Sequence, residues 1–68
     1  MKAVSGKRFC ALLEERGWVC KRIQGSHHIY AKEGKAVRIS VPVHGNAPLK
    51  AGLQQHLMKI AGIGEVEL

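Results

Sequence analysis

Apolar residues recur at helical spacing near the two ends of the chain and alternate with polar ones between them, which predicts helix, strands, helix. Phe9, Leu12 and Leu13 share one face of a first helix over about residues 5–16. Ser5 can cap its amino end, with Val4 and Phe9 at the two positions of a hydrophobic staple. Gly17 supplies the left-handed residue that ends such a helix, and Trp18 can fold back on Leu13.

Three short strands are expected next. Trp18 to Gln24 is rich in strand formers and is broken by Gly25; His27 to Ala31 runs into a Lys32-Glu33-Gly34-Lys35 turn. Ala36 to Val41 alternates most clearly, with Val37, Ile39 and Val41 on one face and Arg38 and Ser40 on the other. Pro42 has no donor and is expected to end regular pairing. Val43 to Pro48 is loop by its Gly, Asn and Pro content. A second helix follows from about Leu49 to Ala61, with Leu49, Leu53, Leu57 and Ile60 as its apolar stripe, Lys59 in its last turn and Gly62 beyond it. The order α-β-β-β-α predicts an α+β fold: a three-stranded antiparallel meander with both helices on one face and the other face open to solvent.

The chain has 68 residues, enough for a single domain over 1–68 with a marginal core. Its 46% hydrophobic content argues against disorder. Charged residues interrupt every apolar run well short of a membrane span, and Lys7 and Arg8 stand where a signal peptide would be apolar. Cys10 and Cys20 fit no zinc or redox spacing and are expected as free thiols in a reducing cytoplasm. Net charge is +6, and from Arg16 to Arg38 six basic residues face one acid, Glu33. Such a balance favours phosphate-bearing partners, through charge pairing and counterion release.

Within this basic stretch lies Gly25-Ser26-His27-His28. Imidazole is the side chain whose unperturbed pKa, about 6.5, suits it to proton transfer near neutrality. Adjacent strand residues point to opposite faces, so one of His27 and His28 is expected on the covered side and the other on the open side; parity alone leaves open which. RNA carries its own nucleophile, a ribose 2′-OH beside each phosphate. One neutral imidazole can take that proton while Lys or Arg stabilises the charge on phosphorus, which needs no cofactor. No Cys pair or acid stands at ligand spacing to the histidines, and no metal is expected. Lys21, Arg22 and Arg38 are candidate phosphate contacts, Gly25 permits close approach of an RNA backbone, and Ser26 either shapes the turn or bonds phosphate. Lys50 is the one lysine at the start of helix 2, a position where RNA-binding modules grip phosphates. Trp18 and Tyr30 are expected in the core rather than as base-stacking platforms.

Gly25-Ser26-His27-His28-Ile29-Tyr30, then Val41-Pro42-Val43-His44-Gly45, then Leu49 through Gly62 with Gly52 and the Ile60-Ala61-Gly62-Ile63 ending, occur in that order. With Leu13-Glu14 and Gly17-Trp18 closing helix 1, nearly the whole chain resembles the HicA toxin family. The resemblance implies a fold like the double-stranded RNA-binding domain. It implies an mRNA interferase that cleaves RNA without metal and is restrained by a HicB-like antitoxin. It also implies that His27, the first histidine after Gly-Ser, is catalytic, and that His44 has a structural or RNA-contacting role. Many relatives carry Gly-Thr where this chain has Gly52-Leu53, so a hydroxyl that could cap helix 2 or contact phosphate is absent. A non-catalytic RNA-binding module of the same fold is the alternative; it would retain duplex RNA with steep salt dependence and cut nothing.

Overall fold

The computed structural model describes all residues, 1–68. It has the α-β-β-β-α order: α1 Gly6–Glu15, β1 Val19–Gln24, β2 His27–Ala31, β3 Ile39–Pro42 and α2 Ala51–Ala61, followed by a short 3₁₀ turn, Glu65–Glu67. The strands form one antiparallel sheet in the order β1-β2-β3.

Helix α1 starts and stops as its residues dictate. Ser5 Oγ accepts from the Arg8 N–H, and Val4 and Phe9 are both buried as a staple requires. At the other end Gly17 takes φ 87°, its N–H donates to the Glu14 carbonyl, and the Trp18 N–H donates to the Leu13 carbonyl. That bond pair is a Schellman ending, and it turns Trp18 into the core, just ahead of the strand it was expected to open.

Phe9, Leu12 and Leu13 of α1 and Leu57 and Met58 of α2 meet Tyr30, Ile39 and Val41 of the sheet, all buried. Both helices therefore cover the face carrying Tyr30, Ile39 and Val41, and the face carrying His27 and Ser40 is left open. Gln54 is the buried polar residue of α2: its Oε1 accepts from the Val4 N–H and its Nε2 donates to the Lys2 carbonyl, so it ties the amino-terminal segment to the helix.

Besides the start of β1 at Val19, three boundaries differ from the sequence expectation. Strand β3 begins at Ile39, not Ala36, and Val37 is 49% exposed rather than in the core. The Lys35 N–H bonds the Lys32 carbonyl, so the chain reverses there; Ala36 to Arg38 are surplus length that reaches the ladder only where Ile39 meets Tyr30. Pro42 does not end the pairing: it is the partner of His27, and the next residue, Val43, still donates to the Ser26 carbonyl at 2.8 Å. Because Ser26 and Val43 are hydrogen-bonded, the alternation of an antiparallel ladder makes His27–Pro42 a non-hydrogen-bonded pair, where a missing N–H leaves no gap. Helix α2 starts at Ala51 after an extended Lys50; Leu49 is buried ahead of the helix, and its N–H donates to the Val4 carbonyl.

Candidate active site on the open sheet face

The β1–β2 connection has two residues, Gly25 and Ser26, between the paired Gln24 and His27. Gly25 sits at φ 61° and Ser26 keeps a negative φ, the combination of a type II′ hairpin turn. A turn this short fixes the register, so His27 occupies the first position of β2 on the open face.

Around His27 the open face is polar. Its Nδ1 lies 3.2 Å from Ser40 Oγ on β3, and its Nε2 has no protein partner. Gln24 stands opposite on β1 and accepts from Arg22 Nη2 at 3.2 Å. Arg22, Gln24, His27 and Ser40 thus run across the three strands, all exposed, with no carboxylate among them. His28 points the other way, half-buried on the side of Tyr30 and Val41.

Arg22 reaches this row through an irregularity. The pairing runs Cys20↔Tyr30 and then Arg22↔Ile29, so Lys21 is an extra residue in β1, a β-bulge. Without it, alternation from Cys20 would send Arg22 to the helix-covered side. Lys21 itself lines a shallow cavity further along the strands with Val19, Ala31, Lys32 and Glu33, where an acid is present. Arg38 is exposed and precedes β3, four residues from Pro42 and thus about 13 Å along the strand from the level of His27.

The remaining candidates gather on the other side of Pro42. A cavity of 310 Å³ is lined by Pro42, His44, Pro48, Lys50 and Leu53, among others. No side chain caps the amino end of α2, because its N-cap residue, Lys50, carries no acceptor. Ser26 is half-buried, and its backbone carbonyl accepts from the Val43 N–H. The structure therefore gathers Arg22, Gly25, Ser26 and His27 at one end of the sheet, with His44 and Lys50 beyond Pro42. It sets Lys21 and Arg38 apart. Ser40 and Gln24 were not singled out from sequence; the alternation placed Ser40 on the correct face, and only the register shows it beside His27.

No helix is long and apolar enough to cross a membrane. Comparison with curated proteins gives no match. A family model described as the HicA toxin of bacterial toxin–antitoxin matches residues 6–63, from the first residue of α1 to the buried Ile63 after α2.

Proposed function

Because the chain belongs to the HicA toxin family, the toxins of toxin–antitoxin systems that pair with a HicB-type antitoxin, we propose that it is a metal-independent endoribonuclease acting on mRNA in the cytoplasm, with His27 as its catalytic base. The observation that carries this is an exposed imidazole on the open sheet face, with Nδ1 on Ser40 Oγ and Nε2 without a protein partner.

With Ser40 accepting from Nδ1–H, the neutral ring keeps its lone pair on Nε2. Nε2 takes the proton of a ribose 2′-OH as that oxygen attacks the adjacent phosphorus. The bond to the 5′-oxygen breaks, and the leaving oxygen takes a proton from solvent. The products are a 2′,3′-cyclic phosphate and a 5′-OH end, with no change in redox state. Arg22, steadied by Gln24, supplies positive charge to the phosphorane. Lys50 and His44 contact the RNA beyond Pro42, and Lys21 and Arg38 act as outlying phosphate contacts. Gly25 and Ser26 hold the turn close enough for the backbone to approach. A HicB-type partner that covers this face would block RNA and stabilise the toxin by mass action.

His27→Ala tests the assignment. RNA cleavage is expected to fall by about 10²–10⁴-fold, the usual worth of a general base, with the circular dichroism spectrum unchanged. Unchanged cleavage would remove His27 from the mechanism. RNA retained but never cut by the wild-type chain would favour a binding module instead.

A further inference from the structure

The cavity beyond Pro42 takes no part in the proton transfer described above. Pro42, Ala47, Pro48, Leu49 and Leu53 give it apolar walls, and its nitrogen-bearing side chains are His44 and Lys50. No carboxylate, amide or hydroxyl side chain lines it. Pro42 belongs to both places, as a wall of the cavity and as the non-hydrogen-bonded partner of His27. Their Cα atoms are therefore about 4.5 Å apart.

Resting on the nuclease reading, we infer that this cavity seats one nucleobase of the RNA, next to the phosphate on which His27 acts, with Lys50 holding an adjoining phosphate. At 310 Å³ it lies at the small end of ligand pockets, a size for one planar ring system rather than a peptide segment. The apolar rings of Pro42 and Pro48 and the side chains of Leu49 and Leu53 can pack against the face of one unpaired base and take it out of water. The charge at its rim is cationic: Lys50 is exposed and makes no ion pair. His44 and Lys50 carry the only side-chain polar groups of the lining, so the seat accepts bases mainly by shape rather than by their pairing edges. That makes cleavage tolerant of sequence.

The test uses the chain carrying His27→Ala, so that RNA stays whole, and a set of short single-stranded RNAs each with one abasic site. One position is expected to weaken binding about tenfold, the effect of losing the apolar burial of one base. Ala47→Trp fills the cavity from an exposed loop and is expected to erase that difference; Lys50→Ala is expected to lower the salt slope of binding by about 0.7. Equal binding of every abasic RNA overturns the inference, as does a position effect that survives Ala47→Trp. So does an Ala47→Trp chain that cuts RNA normally yet no longer binds its antitoxin. A wild-type chain with the same position effect that cuts no RNA upholds the cavity assignment and sinks the nuclease reading alone.

Discussion

His27 Nδ1 lies within hydrogen-bond reach of Ser40 Oγ, and where that hydroxyl accepts from Nδ1–H the lone pair of the neutral ring is left on Nε2. Ser40 is a positioning residue in this account, since it meets the ring and not the RNA. Ser40→Ala is expected to lower kcat about three- to tenfold, the worth of one ordinary hydrogen bond, and Ser40→Thr to restore it. A purely structural serine would instead change the melting temperature in both variants and leave kcat alone. His27 and His28 both stood out as candidates in a turn between two strands of a basic stretch, and the family resemblance singled out His27. Its partner did not stand out, because Ser40 is 13 residues away and only the pairing register brings the two together. The same holds for Gln54, which sits among polar helix residues in sequence yet is fully buried and bonded to the amino-terminal segment.

Elements meet most tightly where α1 begins. A Cβ on Gly6 would lie 2.0 Å from the Pro42 carbonyl oxygen, so the helix start rests directly on the end of β3. Gly6→Ala must push that strand end aside, and overpacking of this kind costs about 1–3 kcal/mol. Denaturant unfolding is the measurement, and RNA cleavage should fall as well, because Pro42 is the cross-strand neighbour of His27. Wild-type stability in Gly6→Ala would show that the contact is softer than the geometry requires. At this scale periodicity found both α-helices and β3, through Phe9, Leu12 and Leu13 at helical spacing and Ile39 and Val41 at strand spacing, while strand-forming residues bounded by Gly25 found β1 and β2. It missed what departs from period. The bulge at Lys21 that turns Arg22 outward leaves no mark in composition, and Val37 alternates correctly in a segment that the Lys32–Lys35 turn keeps out of the sheet.

Across the whole molecule charge is segregated. The acids Glu14 and Glu15 lie on α1, Glu33 in the β2–β3 loop and Glu65 and Glu67 at the carboxyl end, leaving the open face around His27 without one. Glu67 accepts from the Gly64 N–H and pairs with Arg16, which fastens the carboxyl end to the end of α1 and takes one arginine out of the pool available to RNA. The Gly64 N–H first, and Arg16 next, hold the Glu67 carboxyl below its ordinary range. The stability this lends is present above the ordinary carboxylate pKa and is lost as pH falls through the lowered one. On the alkaline side burial raises the Cys10 thiol, and burial with the bond from Tyr30 Oη to Glu14 raises the Tyr30 phenol. Both contributions are intact below the groups' ordinary values, 9.0 and 10.0, and fade as pH climbs beyond them. These groups should therefore make the melting temperature fall at both ends of the pH range; Glu67→Gln should weaken the acid dependence, and an unchanged acid limb would remove Glu67 from it.

If one imidazole cuts RNA through the ribose 2′-OH, the ends it leaves are diagnostic, and end-group analysis of RNA incubated with the purified chain and a chelator reads them. Cleavage by this route leaves 2′,3′-cyclic phosphate and 5′-OH ends, absent with His27→Ala and absent at any position whose 2′-OH is replaced by hydrogen. Cutting at such 2′-deoxy positions, or 5′-phosphate ends, would contradict it.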